Sequence, residues 1–381
     1  MNRINKNKDN CCGCSACMSI CPKHAISMQE DCLGFKYPLV DDTLCIDCGL
    51  CEKVCQFKTD YVIPELAGHP LGIYAFRNKD IQQLERSQSG AAFWTLANSF
   101  IHAGGVVYGV GYKQFEAIHK RTETVEGLEE MRGSKYVQSD VDATFKMTLE
   151  DLKQGRSVLY SGTPCQIAGL RSYIPEKYRE KLFTIDLICH GVPGPKVWKD
   201  YLSELQKKFR DPLTRVNFRD KSKGWNVNVP SFGFGDTIRY EMDYARIFYS
   251  NLVMREACFK CPYTNFKRVA DITLADFWGW YKISEEFHDN KGVSLVLVNS
   301  TKGQQLFESV QDQIEYRESD VQSCMQRNLQ RPSSRPLKRS QVENDYQQYG
   351  FHYVSIHHFG MSRKARTIRV LKSIAKKIIR K

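Results

Sequence analysis

Apolar and polar positions follow one pattern twice in the middle of the chain. Ser157 to Tyr160 reads as a buried strand and is followed by Gly162-Thr163-Pro164-Cys165 and helical periodicity. Leu182 to Ile188 reads as a second such strand, followed by Cys189-His190-Gly191-Val192-Pro193-Gly194 and a helix through Leu205. Two strand–loop–helix units in succession predict parallel pairing, and loops that leave the carboxyl ends of parallel strands share one edge of the sheet. Cys165 and Cys189 therefore fall at equivalent positions. Upstream, Gly72 to Arg77 alternates as a strand. Gly90 to His102 has helical periodicity and stops at Gly104-Gly105. Val106 to Val110 is strand-like, and Leu128 to Arg132 is a short helix before Gly133-Ser134-Lys135-Tyr136. Downstream, Ala270 to Asp276 and Ser294 to Val298 read as strands and Lys302 to Val310 as a helix. Asp211 to Asp243 is a polar segment of strands forming a lobe. Arg331-Pro332-Ser333-Ser334-Arg335-Pro336 marks a break before a C-terminal extension.

The first 60 residues lack such periodicity and carry cysteines instead. Cys11, Cys14, Cys17 and Cys21 are spaced x2, x2, x3 and followed by Pro22; Cys45, Cys48, Cys51 and Cys55 repeat the spacing, with Gln56 in place of the proline. This is the spacing of a bacterial two-cluster ferredoxin, in which three thiolates of one array and the fourth of the other hold each [4Fe–4S] cubane. The expected sets are Cys11, Cys14, Cys17 with Cys55, and Cys45, Cys48, Cys51 with Cys21. A zinc pair fits less well, because zinc sites usually join two close cysteines to two distant ligands. Cys12 and Cys32 lie outside the pattern and read as bystanders. So small a module has a meagre core, so its clusters must carry much of its folding. The segment from Val62 to Pro70 reads as the linker to the body.

Composition narrows the setting. Ten of the fifteen cysteines lie within the first 55 residues at metal spacing, which favours cluster ligands over disulfides and a reducing compartment, the cytoplasm. The N-terminus has no apolar run, so no signal peptide is expected, and no 18-residue apolar stretch predicts a membrane span. The formal charge is +12, of which the last 21 residues supply nine, with nine Lys or Arg and no acid. There Ile368, Leu371, Ala375 and Ile378 recur at helical spacing, predicting a basic amphipathic helix. The open readings are contact with the anionic inner surface of the membrane, docking on the body or on a partner, and a disordered basic end. No recognition motif accompanies the charge, so nucleic acid is not an expected partner.

Cys165, Cys189, Cys258 and Cys261 form a second group of thiols at loop starts and in a C-x-x-C. Spacing alone leaves four readings open: a third cluster, a zinc clip, a redox dithiol at Cys258 and Cys261, or ordinary buried thiols.

Gly162-Thr163-Pro164-Cys165-Gln166, Cys189 before Gly191, Cys258-x-x-Cys261 and Ala275-Asp276-Phe277-Trp278-Gly279 resemble signature blocks of the coenzyme F420 hydrogenase/dehydrogenase beta-subunit family. Ser87-Gln88-Ser89-Gly90 and Gly133-Ser134-Lys135-Tyr136 resemble its N-terminal blocks. The resemblance spans about residues 1 to 320, with a ferredoxin module in front. It implies an iron–sulfur flavoprotein holding FAD and a third [4Fe–4S] cluster. Cys165, Cys189, Cys258 and Cys261 match the family's extra-cluster ligands. Ser89, Gly90, Gly133, Ser134, Lys135, Thr163 and Pro164 match its flavin-contacting blocks. Lys135, Asp276 and His190 are not assigned as acid or base.

The expected fold is mixed α/β (α+β and α/β). A ferredoxin module occupies residues 1–60, an N-terminal flavin-binding region 70–150, a C-terminal region with the third cluster 151–325, and an extension ending in the basic helix 330–381. The expected function is an oxidoreductase that relays electrons between clusters, FAD and a small-molecule or deazaflavin substrate. The alternatives are an electron-transfer subunit serving a partner protein and a scaffold that has lost its flavin. A redox partner protein or a small-molecule electron donor or acceptor is implied in either redox case.

Overall fold

In the computed structural model, the described residues are 4, 7–58, 69–362, 364, 365, 367, 368 and 371. Most of the basic amphipathic helix and most of the linker lie outside them. Among the described residues no helix is long and apolar enough to cross a membrane.

Thirteen strands run in chain order among the described residues: β1 Ile26–Glu30, β2 Lys36–Val40, β3 Gly72–Asn78, β4 Val106–Lys113, β5 Glu116–Thr122, β6 Val158–Ser161, β7 Leu182–Leu187, β8 Leu213–Asn217, β9 Ser231–Phe234, β10 Thr237–Tyr240, β11 Ile272–Asp276, β12 Ser294–Val298 and β13 Ile314–Glu318. Eight of them form one mixed sheet in the order β13-β3-β12-β11-β7-β6-β4-β5. Its centre is parallel: β4 with β6, β6 with β7 and β7 with β11. The two repeated strand patterns thus pair in parallel, as their periodicity implies. Antiparallel strands flank the centre, β12, β3 and β13 on one side and β5 on the other.

The unbroken apolar runs follow from burial on both faces. Ser294-Leu-Val-Leu-Val298 is buried throughout, and Leu159, Ile185, Ile272 and Val296 are fully covered. Each such side chain contributes about 1.5–3 kcal/mol relative to an exposed one. Helices Ala92–His102 and Thr301–Glu308 pack on one face, giving Leu96, Ala97, Phe100, Leu306 and Phe307 to a common core with Val107, Leu159 and Ile272. Helix Pro164–Tyr173 packs on the other face through Ile167, Ala168 and Leu170.

The cysteine-rich module joins that second core. Ala16 and Val54 lie in one cluster with Val106, Val158, Ile167 and Leu170. Hairpin residues Leu33 and Phe35 pack with Trp198, Tyr201 and Tyr244 of the lobe. The module's own apolar cluster is small, with Ile4, Cys17 and Ile26 as its buried members, so the sheet's face and the lobe supply most of its burial. The lobe is a three-stranded antiparallel sheet, β10-β9-β8, packed with helix Pro195–Phe209. The C-terminal extension adds helix Arg339–His357, interrupted at Gly350 (φ 76°), whose Val342, Tyr346, Phe351 and Val354 enter the same core.

Candidate redox centre

The two halves of the cysteine module share a backbone device. After Cys11, Gly13 (φ 70°) and Ser15 (φ 60°) take left-handed conformations; after Cys45, Asp47 (φ 51°) and Gly49 (φ 70°) do the same. These paired reversals turn each loop back so that three thiols face one hollow, and short helices Ala16–Ile20 and Leu50–Lys53 then carry the fourth cysteine across. One hollow is lined by Cys11, Cys14, Cys17 and Cys55, with Cys12 and Gln56 on its wall. The other is lined by Cys21, Cys45, Cys48 and Cys51. The thiols thus group as the crossed spacing implies. Burial pushes the Cys17 thiol well up, and the Cys14, Cys11 and Cys55 thiols facing it add to the effect. Four mutually repelling sulfurs around a hollow suit a cationic iron core. The first set faces the body and will be called inner. The second, where Cys48 is exposed, will be called outer.

The later thiols also converge. Cys165 is the second residue of helix Pro164–Tyr173, behind a Thr163–Gln166 capping box, and Cys189 follows β7. Cys258 lies in the 3-10 turn Glu256–Lys260, and Cys261 follows it. Burial pushes Cys258 up, and its thiol also faces Cys189, Cys165 and Cys261. Burial pushes Cys189 and Cys261 up to about 12 each. The shared sheet edge brings Cys165 and Cys189 together, and the 258–261 turn closes on them.

Cys12 and Gln56 join the inner set to this one. Cys12, 5% exposed, hydrogen-bonds toward both Cys14 and Cys165. Its hydrogen bond is the leading cause that holds Cys14 down to about 7. Gln56 donates to Cys12 Sγ (3.2 Å) and to the Cys165 carbonyl, and accepts from the Tyr263 hydroxyl. A proline there could make none of these contacts. The one sequence signal was the departure from Pro at position 56. Nothing in the sequence placed Cys12 against residue 165.

The residues matched to flavin blocks lie near the carboxyl ends of the parallel strands or beside them. Ser89 donates to the Val293 carbonyl (2.6 Å), and the Gly90 amide donates to Ser294 Oγ (2.9 Å). A Cβ on Gly90 would meet the Phe76 carbonyl at 2.0 Å, so glycine here permits close packing against β3 and β12. Ser294 is the register partner of Asp276, which places this segment beside the end of β11. Gly133 (φ 77°) is exposed, with open space where a Cβ would stand. Ser134 follows it, half-buried. The Lys135 ammonium donates to the Met131 (2.9 Å) and Arg132 (2.8 Å) carbonyls, and burial pushes it down to about 7. Arg132 donates to Ser87 and stacks 3.3 Å over Trp94, tying the two predicted segments together. Thr163 Oγ1 lies 3.3 Å from Cys165 Sγ, and Pro164 is buried at the first turn, so this pair stands on the thiol side.

At the end of β11 sits a buried ion pair that the sequence did not reveal as one. Arg219 donates to Asp276 Oδ2 and, at 3.1 Å, to the Trp225 carbonyl; Trp225 Nε1 donates to Asp276 Oδ1 at 3.2 Å. The Tyr136 hydroxyl also hydrogen-bonds Arg219. Trp278, 46% exposed, stacks on Trp225 with ring centroids 5.3 Å apart. His190 Nε2 pairs with Asn251 Oδ1 (2.8 Å), which commits that ring to the lobe.

A two-hollow cysteine module seated on a mixed α/β body defines an iron–sulfur electron-transfer protein. Residues 10–59 match the 4Fe-4S dicluster domain, and residues 155–323 match the family described as the C terminus of the coenzyme F420 hydrogenase/dehydrogenase beta subunit. A solved chain from the xenon-derivatised F420-reducing [NiFe] hydrogenase complex of Methanosarcina barkeri is similar at 16% identity. That match covers 75% of this chain and 93% of that one, with a TM-score of 0.48. No curated protein matches. Residues 155–323 thus resemble the C-terminal region of the coenzyme F420 hydrogenase/dehydrogenase beta subunit, and residues 10–59 a 4Fe-4S dicluster module in front of it.

Proposed function

We propose that the chain is an iron–sulfur flavoprotein oxidoreductase with three cubanes and one FAD. The observation that carries this reading is the convergence of Cys165, Cys189, Cys258 and Cys261 beside the inner set, with Cys12 touching both groups. Cubanes exchange single electrons, whereas a flavin exchanges one or two and can deliver a hydride. The chain's own contribution is placement. Cys21, Cys45, Cys48 and Cys51 would hold the outer cluster, Cys11, Cys14, Cys17 and Cys55 the inner, and the four later thiols the third. The shared cores of module and body keep water out of the junction. Gly133, Ser134 and Lys135 would bind the FAD diphosphate. The exposed backbone at Gly133 allows close approach, and the Lys135 ammonium, held by the Met131 and Arg132 carbonyls and lying 5.4 Å from the Tyr112 ring centroid, suits an anion. The Ser89–Gly90 turn, Thr163 and Pro164 would shape the remainder of that pocket.

The outer set is the entry point for electrons. Cys48 is exposed there, and Leu39, Leu44 and Ile46 nearby are about half exposed (49%, 49% and 57%). A redox partner protein or a small-molecule donor or acceptor would reach the chain at this face. The family is described as a subunit, which supports the protein partner, and a cytoplasmic setting follows from the thiolate chemistry. Contact of the basic tail with an anionic membrane surface belongs to the same proposal.

The test is anaerobic reconstitution with iron, sulfide and FAD. About twelve irons and one flavin per chain are expected, with about eight irons in the Cys189→Ser protein. Eight irons in the parent protein, with the later four thiols freely alkylated, would overturn the third cluster. Absence of tightly bound flavin would overturn the flavoprotein reading.

A further inference from the structure

Arg255 is 1% exposed, and it lies between the inner set and the third set. Its guanidinium reaches the module from the body. Nε donates to the Cys11 carbonyl (2.6 Å), Nη2 to the Lys36 carbonyl (2.8 Å) and toward Cys11 Sγ (3.6 Å), and Nη1 to Gln138 Oε1 (3.0 Å). The Tyr37 ring lies 4.3 Å away and the Phe35 ring 5.2 Å. Gln138 in turn donates to the Cys12 carbonyl (2.8 Å). Three residues beyond Arg255, the Cys258 amide bonds to the Arg255 carbonyl (3.0 Å), so the same residue anchors the turn that carries two thiols of the third set. The groups that act most on its charge are Tyr37, Cys11, Cys12 and Cys258, with no carboxylate among them.

A buried charge is costly unless something pairs with it. Among the described residues, every other side chain that is both fully buried and cationic has an acid: Arg268 has Asp186 (3.0 Å), and Arg339 has Glu343 (2.7 Å). We propose that Arg255 is the shared counter-ion of the inner and third clusters, setting their reduction potentials above that of the outer cluster. A cubane with four thiolates is an anion, and reduction adds one more negative charge. A fixed cation and an N–H donor to a ligand sulfur both favour the reduced form. The outer set, at the far side of the module, lacks this neighbour. The bias makes the junction the thermodynamic sink for an electron that enters at the surface. Arg255 acts through its charge on the clusters and touches no substrate, so it is a positioning residue. This inference rests on the three-cluster reading above.

The test is an EPR-monitored redox titration of the reconstituted full-length protein, with signals assigned by the Cys51→Ser (outer) and Cys189→Ser (third) proteins. Arg255→Met should move the electron distribution between inner and outer clusters at least tenfold toward the outer, which is about 59 mV for a one-electron couple. The third cluster should move the same way and the outer cluster should stay in place. Arg255→Lys keeps the charge and should restore most of the shift. If Arg255→Met fails to load its clusters, Gln138→Glu decides: it leaves Arg255 in place and pairs it with a carboxylate, so the same downward shift is expected. Unchanged potentials in a loaded Arg255→Met protein, or an equal shift in all three clusters, would overturn the proposal. If the parent protein itself lacks an inner-cluster signal, the three-cluster reading has failed and takes the proposal with it.

Discussion

Gly169 offers the most direct mechanical test of how the cysteine module seats on the body. It lies within helix Pro164–Tyr173, and a Cβ built there would stand 2.7 Å from Cys14 Sγ and 2.9 Å from Cys14 Cβ. The short Cys14 side chain has little room to yield, because the Gly13 and Ser15 reversals fix its loop and Cys12 hydrogen-bonds its thiol. In an open helix interior, Gly→Ala adds about 1 kcal/mol of stability. Here overpacking opposes that gain by roughly 1–3 kcal/mol. Gly169→Ala should therefore range from neutral to about 2 kcal/mol destabilising. The cost should fall at the inner cluster, since the loop that yields carries one of its ligands. The assay compares guanidinium midpoints of the reconstituted proteins under anaerobic conditions and follows the inner cluster's EPR signal. A midpoint raised by about 1 kcal/mol with an unaltered inner signal would show that the helix does not press on the Cys14 loop, and this seating would be refuted.

Three further outcomes follow from buried charge. The Lys135 ammonium is held down to about 7 by burial, so in the flavin-free protein it loses its proton as pH rises through about 7. An anionic ligand needs the charged form. FAD affinity should therefore be higher below pH 7 and fall above it, and Lys135→Met should flatten the profile in a fluorescence titration. His119 is buried against Tyr160 and the Ser161 carbonyl and is held down to about 4 by burial. Its folded pKa lies below the unfolded value, so the stability it contributes is present above about pH 6.5 and lost as pH falls toward 4, roughly 3 kcal/mol in all. His119→Asn should remove that part of the acid sensitivity in paired denaturation curves. Arg219→Met leaves Asp276 half-paired in a site where the two side chains are 3% and 16% exposed, and should cost about 3–5 kcal/mol in the denaturant midpoint while leaving the iron content unchanged.

What could be read in the sequence was whatever short-range pattern controls. The two apolar runs Ser157–Tyr160 and Leu182–Ile188 are flanked by glycine and proline loops, and they became adjacent parallel strands within a residue of their expected ends. The cysteine spacing determined the grouping around both hollows, because each loop's reversals are local. The edge strands β5 and β13 were not visible: Glu116–Thr122 and Ile314–Glu318 are largely polar, and their pairing partners alone make them strands. Helix Arg339–His357 was also missed, because Gly350 breaks its period and its buried stripe is sparse. The junction residues were harder still. Arg255 meets Cys11 across 244 positions, and Gln56 meets Cys165 across 109. No periodicity links such residues, and only the docking of the module makes a bystander thiol, a departure from Pro and a lone arginine into one site.

A relay of this kind requires iron in three places along one line of thiols. Anomalous diffraction at the iron edge from anaerobically grown crystals of the reconstituted protein measures this directly. The expected map has three separate iron centres, the innermost enclosed by Cys165, Cys189, Cys258 and Cys261 and next to the one that Cys55 completes. A map with iron confined to the two N-terminal hollows, or with a zinc edge at the later thiols, would contradict it.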